Sequence, residues 1–188
     1  MRTVGPRVSD LHVVLVTGLP GTGKTTLAER VAPALGAPVL GWDWAMAALT
    51  PYAPVWAAAR GLHHADYAAL GWAMVRQAAE SQVRRGMAVV LDGLAGAGEV
   101  ARNRALAADH GARATVVLTT CDDEAAHRRR LDGRRRGIPG WHELTWEGVL
   151  ATKGRWVPPT DVDLVAPATA AVDANVARIL AHLDLAAG

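Results

Sequence analysis

The chain has 188 residues and a formal net charge of +2 at pH 7, with seven tryptophans, two tyrosines, no phenylalanine and one cysteine. That length suits a single domain over 1–188, able to bury roughly 70 % of its unfolded surface without staples, and the lone Cys121 excludes an intrachain disulfide. A charge so near zero gives no electrostatic case for a nucleic-acid partner; no apolar run reaches membrane-spanning length and no signal-peptide pattern is present, so a reducing, cytoplasmic setting is expected.

Residues 1–10 read as a short lead without pattern. His12-Val13-Val14-Leu15-Val16-Thr17 is a short apolar run rich in β-branched residues, as a buried parallel strand is. It runs into Gly18-Leu19-Pro20-Gly21-Thr22-Gly23-Lys24-Thr25, which fits G-x-x-x-x-G-K-[ST], the phosphate-binding loop. Glycines permit positive φ and place no side chain between backbone and phosphate. Successive N–H groups can then turn inward at a helix N-terminus, where the dipole also favours negative charge. Gly18, Pro20, Gly21, Thr22, Gly23, Lys24, Thr25 and Thr26 are the candidate nucleotide-binding residues. Lys24 brings charge to the β- and γ-phosphates, and Thr25 brings a hydroxyl to Mg²⁺. A helix over 24–35 follows, with Leu27, Val31 and Leu35 on one face and Gly36 as its stop.

Further apolar runs at 38–41, 87–91, 114–118 and 162–165 alternate with helical patterns at 43–49, 65–85, 99–109, 122–135, 145–153 and 171–185. This alternation predicts an α/β fold with a parallel sheet. Val172, Val176, Ile179, Leu180 and Leu183 form the stripe of the last helix. The segments 50–64, with Pro51, Pro54 and Gly61, and 136–144, with Gly137, Pro139 and Gly140, read as irregular and as candidates for mobile cover beside a site.

Ligands of open α/β sheets bind at the carboxyl ends of the strands. Two aspartates fall there. Asp92 closes Met87-Ala88-Val89-Val90-Leu91 and reads either as a Mg²⁺-holding carboxylate of Walker B type or as a turn or cap residue before Gly93. Asp43 closes Pro38-Val39-Leu40-Gly41-Trp42; it can cap the next helix, accept the proton of a substrate hydroxyl, or do both. No Glu follows Asp92, and no N-K-x-D motif is present, so transfer to a bound acceptor is favoured over hydrolysis for mechanical work. Around Asp43 and in 50–72 lie Trp42, Trp44, Trp56, His63, His64, Tyr67 and Trp72. Trp42, Trp44, His63 and His64 are candidate acceptor contacts, as is Arg102 on the helix after Asp92; Tyr67 and Trp72 are expected in the core. Trp141, Trp146 and Trp156 are expected to pack the base of a lid.

Taken together, the loop 18–25, the strand-end Asp43, Val89-Val90-Leu91-Asp92 and Arg130-Leu131-x-x-Arg134 resemble the small P-loop kinases that include polynucleotide kinase, zeta toxin, gluconate kinase and chloramphenicol phosphotransferase. The stretches 141–146 and Trp156-x-Pro158-Pro159 resemble the segment after the lid of that group. The resemblance implies a P-loop NTPase with a five-stranded parallel sheet in order 2-3-1-4-5, helices on both faces, and a small lid over about 130–144. It also implies that Arg134, and after it Arg130, meets the transferring phosphate, where one arginine finger can contribute roughly 10³–10⁵ in rate. An ordinary solvated basic helix end is the alternative for either. Polynucleotide kinases carry a phosphate-gripping Arg three residues after the strand-end Asp; here that position is Met46, among Trp42, Trp44 and Ala45. A small, neutral or partly aromatic hydroxylated acceptor fits such walls better than a nucleic-acid end. The reading at this stage is an ATP- and Mg²⁺-dependent kinase for a small-molecule hydroxyl of a sugar, nucleoside or antibiotic. A nucleic-acid 5′-end kinase and a nucleotide-dependent switch or ATPase are the alternatives.

Overall fold

The computed structural model describes residues 11–132 and 135–185. The lead 1–10 and Arg134 therefore lie outside the described residues. The strands are β1 (His12–Gly18), β2 (Val39–Gly41), β3 (Val89–Asp92), β4 (Arg113–Thr120) and β5 (Leu164–Pro167). They form one sheet in the order β2-β3-β1-β4-β5, and every pairing is parallel. The helices are α1 (Lys24–Leu35), α2 (Trp42–Ala47), α3 (Ala53–Arg60), α4 (His64–Val83), α5 (Ala97–Asp109), α6 (Glu124–Leu131), α7 (Trp146–Arg155) and α8 (Val172–His182).

Strand alternation divides the core in two. Val14, Val16, Val90 and Val117 face α1 and α8, where they join Leu27, Val31, Ile179 and Leu180. Val13, Leu15, Val89, Leu91 and Val116 face α4 and α5, where they meet Trp72, Val75, Val100 and Leu106. Central strands buried on both faces need apolar residues at every position, which is why these runs show no polar alternation. The longest predicted helices fall within a few residues of 24–35, 65–85, 99–109 and 171–185. The final helix places Val176, Ile179 and Leu180 in the core, as its stripe requires.

Three local expectations need correction. Within 50–64, Ala53–Arg60 is helical: Pro54 occupies the first turn, where no intrahelical N–H is needed, and an alanine-rich stretch follows up to Gly61. The helix expected over 122–135 is α6, which stops at Leu131, with Asp132 as an extended C-cap. β5 begins at Leu164 rather than at 162.

Packing of α2 against α4 positions the β2 end of the sheet. A Cβ on Gly71 would lie 2.3 Å from Trp42 Nε1 and 2.9 Å from Met46 Cγ, so the glycine admits both side chains. The Trp42 indole N–H then donates to Ala68 O at 3.0 Å. Met46 is fully buried and fills the core at this junction. Among the described residues no helix is long and apolar enough to cross a membrane.

Candidate active site

The phosphate loop leaves β1 at Gly18 and enters α1 at Lys24. Gly21 and Gly23 both take positive φ, +86° and +92°, the left-handed region that side chains disfavour. Gly23 is the N-cap of α1, and no side chain caps that helix. The first amides of α1 are thus left for an anion to satisfy. Polar contacts brace the loop from within. Thr22 Oγ1 donates to Leu19 O at 2.7 Å and lies 2.5 Å from Thr119 Oγ1. Lys24 Nζ donates to Leu19 O at 3.0 Å. From outside, His127 Nε2 lies 2.6 Å from Pro20 O. Thr26, the other hydroxyl at the helix start, is exposed.

Thr25 Oγ1 donates to Asp92 Oδ2 at 2.6 Å. Asp92 is therefore tied to the mouth of the loop, and α5 starts five residues later at Ala97 with Gly96 as its N-cap, so Asp92 caps no helix. A hydroxyl and a carboxylate are oxygen donors of the kind Mg²⁺ takes, and Mg²⁺ commonly binds through one or two protein groups plus substrate phosphates. The residues present fit that cation. Among the described residues no three His, Cys, Asp or Glu side chains gather into a dedicated metal cage.

The register sets Gly41 beside Asp92, and Val16 on the other side of Asp92. Asp43, two residues beyond Gly41, consequently stands at the same sheet edge as the loop and Asp92. It lies in the first turn of α2, whose N-cap is Gly41 without a side-chain bond, so the capping role is not used. Its partner is Arg136: Nη1 donates to Asp43 Oδ2 at 2.6 Å, with the guanidinium side chain 6 % exposed and the carboxylate 41 %. Arg136 also donates through Nη2 to His142 O. Its Nε is 3.5 Å from Glu143 Oε2, and its backbone N–H donates to Glu143 Oε1 at 3.0 Å.

Through these contacts residues 135–143 lie beside Asp43 and α2. Gly140 is so near Thr50 that a Cβ would come within 2.5 Å of its hydroxyl. Trp141 packs against Trp42 and Trp56, with ring centroids 6.1 and 5.7 Å apart. Tyr67 closes the circuit, 5.5 Å from Trp42 and 6.4 Å from Trp56. Burial first, and then the nearby Asp43 carboxylate, push the Tyr67 phenol above its ordinary value. The Trp141 indole N–H is buried without an acceptor among the described residues. Tyr67 and Trp141 thus belong to this aromatic group, whereas Trp72 is core as expected, its N–H donating to Leu94 O at 3.1 Å.

The remaining candidates scatter. Trp44 is 56 % exposed and stands outside the aromatic group. His63 caps α4, its Nδ1 accepting from the Ala65 N–H at 3.4 Å. His64 is exposed, and burial, Arg155 and His63 in that order lower its imidazole below the ordinary value. Arg102 pairs with Glu99 at 3.3 Å and is otherwise exposed. Arg130 donates to Ala168 O, in the turn after β5. Arg136 was visible in the sequence only as one member of the arginine run, and nothing in its spacing singled it out. His127 carried no signal at all.

The AAA_33 family model, described as an AAA domain, matches residues 13–140. No curated protein matches the sequence. Among solved structures, a sugar kinase from Janibacter sp. HTCC2649 is 21 % identical, with 94 % of this chain and 95 % of that chain covered and a TM-score of 0.62. A gluconokinase from Sinorhizobium meliloti 1021 is 21 % identical over 92 % and 91 %, with a TM-score of 0.62. The APS kinase CysC of Mycobacterium tuberculosis, solved with AMPPNP and APS, is 20 % identical over 93 % and 98 %, again with a TM-score of 0.62. At these identities the likeness shows the fold, which is that of the small P-loop kinases.

Proposed function

The chain belongs to the AAA_33 family, and we propose that it is an ATP- and Mg²⁺-dependent phosphotransferase acting on a hydroxyl of a small molecule such as a sugar, nucleoside or antibiotic. The observation that carries this reading is the 2.6 Å contact of Thr25 with Asp92 at the mouth of a loop whose glycines hold positive φ. A polyphosphate would lie against the loop amides beside Lys24. Thr25 and Asp92 would hold Mg²⁺, which supplies neutralisation of charge on the β- and γ-phosphates.

Asp43 is the proposed base. It takes the proton of the acceptor hydroxyl as that oxygen bonds to the γ-phosphorus and the bond to the ADP oxygen breaks. Arg136 now occupies Asp43 Oδ2, so the incoming hydroxyl must share that carboxylate or displace the guanidinium. Arg130 and Arg134 are the proposed cations for the transferring phosphoryl group; Arg130 must first leave Ala168 O. Full burial of Met46 supports an acceptor without a terminal phosphate, because no cation stands at that position.

Incubation with γ-labelled ATP and a library of sugars, nucleosides and hydroxylated antibiotics tests this. Label is expected in a subset of them. Lys24→Ala is expected to lose nucleotide binding. Asp43→Asn is expected to keep it while transfer falls by about 10²–10⁴-fold, the usual worth of a general base. Undiminished transfer by Asp43→Asn removes Asp43 from the base role, and absence of label throughout overturns the kinase reading.

A further inference from the structure

His127 stands on α6, one residue before the arginine run, and is 4 % exposed. Its Nε2 is 2.6 Å from Pro20 O. A carbonyl only accepts, so Nε2 carries the proton. The same imidazole fills the crook of the loop: a Cβ on Gly21 would come within 3.1 Å of both Cδ2 and Nε2. Leu131, one turn further along α6, reaches the same spot, 3.7 Å from that Cβ position. The imidazole also meets Trp146, with centroids 5.3 Å apart and planes at 86°.

Trp146 opens α7, the helix after the lid, and α6 is the helix before it. One buried ring therefore touches the phosphate loop and both helices that bracket the lid. A cleft of about 320 Å³ opens between the loop at Leu19, Trp146 at the start of α7 and Trp156 just past its end, and His127 is among the residues that line it.

The peptide unit it grips is the one between Pro20 and Gly21. No described peptide is cis, and in a trans peptide C=O and N–H point in opposite directions. Fixing the Pro20 carbonyl outward thus fixes the Gly21 N–H inward. Accepting a hydrogen bond also polarises the amide on its other side.

We propose that His127 is a positioning residue for phosphate: it orients the Gly21 amide toward the concave side of the loop and ties that orientation to α6 and to Trp146 at the start of α7. This rests on the reading of the loop as a triphosphate site. It adds a cause for loop geometry that lies outside the loop itself.

The test compares three variants by anisotropy of a fluorescent ATP analogue, by competition with adenosine, and by thermal melting. His127→Phe keeps a ring against Trp146 and loses the donor. His127→Gln places an N–H at the distance of Nε2, and His127→Asn places one too short to reach. Triphosphate affinity is expected to fall roughly tenfold in His127→Phe and His127→Asn, the scale of one well-made hydrogen bond, and to return largely in His127→Gln. Adenosine affinity, which has no phosphate to feel the loop, is expected to stay unchanged. Unaltered triphosphate binding in His127→Phe, or equal loss of triphosphate and adenosine, overturns the proposal. Should His127→Phe fail to fold, the contrast between Gln and Asn decides, and equal affinities there count against it. If the unmodified protein binds no triphosphate, the kinase reading fails instead, and this pattern identifies it.

Discussion

Arg136 is the side chain that joins the proposed base to residues 142 and 143. It is nearly buried, and its contacts are all oxygens: Asp43 Oδ2, His142 O and the Glu143 carboxylate. A hydrogen bond to a charged group contributes about 1.5–3 kcal/mol when buried, and the partial exposure of Asp43 argues for the lower end. Residues 135–143 rest on this anchor and on Trp141. Removing the guanidinium should therefore loosen residues 135–143 without disturbing the sheet. In Arg136→Ala, amide hydrogen exchange across 135–143 is expected to speed up by roughly tenfold, the equivalent of about 1.4 kcal/mol of local opening. β1 and β3 amides should exchange as before. Asp43→Asn should give the same pattern more weakly, because one of the two charged partners of Arg136 is lost while Glu143 and the His142 carbonyl remain. Unchanged exchange across 135–143 in Arg136→Ala would show that Trp141 alone holds this segment.

At the scale of elements, the junction of α2 and α4 carries most of the side proposed to receive the acceptor. Trp42 sits in it through Gly71, through its bond to Ala68 O and through the open space over Gly93, where a Cβ would lie 2.8 Å from Trp42 Cβ. An alanine at 71 cannot be accommodated by rotating a flexible end, since the atom it meets is the indole nitrogen. Gly71→Ala is expected to cost about 1–3 kcal/mol, the range for an overpacked core, despite the better helix propensity of alanine. Denaturant midpoints would read the cost, and near-ultraviolet circular dichroism would read the displaced indole. A stabilised variant with unchanged spectrum would contradict this packing.

What was legible in the sequence follows the same division. Central strands and long helices announce themselves because burial on two faces, or one stripe in 3.6, constrains many residues at once. The order of the sheet came from resemblance, and the loop from its glycines and lysine. The positions of Asp43 and Asp92 at or just beyond strand ends were readable because each closes an apolar run. α3 was not, since Pro54 breaks a helix interior but starts a helix equally well, and only the surrounding structure tells which. Arg136, His127 and the grouping of Trp56, Tyr67 and Trp141 were hidden for a different reason. Their partners lie far along the chain, at Asp43, Pro20 and Trp42, and no local pattern encodes a contact of that range.

For the molecule as a whole, the helix that ends the sheet's sequence closes on the one that begins it. Val176, Ile179 and Leu180 of α8 share a core with Leu27, Ala28 and Val31 of α1, the helix that springs from the phosphate loop. The exposed Arg30–Asp173 pair along the same seam, at 2.6 Å, adds little beside that apolar contact. Because the loop, the first strand and the last helix share one core, a ligand at the loop should stabilise the entire sheet and not a separate part of it. At a hundred times its dissociation constant, a ligand that binds only the folded state adds about 2.7 kcal/mol. For a chain of this size each kcal/mol moves the melting temperature by about 2–4 °C. AMPPNP with Mg²⁺ is therefore expected to raise a single cooperative transition by about 5–11 °C at that saturation. Chelating the metal should remove part of the rise at fixed nucleotide concentration. Asp92→Asn should lose the same part, because the carboxylate that Thr25 holds in place is the group assigned to the cation. Scanning calorimetry distinguishes the outcomes. A rise insensitive to both magnesium and Asp92 would remove the metal role from that pair, and a second transition left behind by the nucleotide would show that loop and last helix do not unfold together.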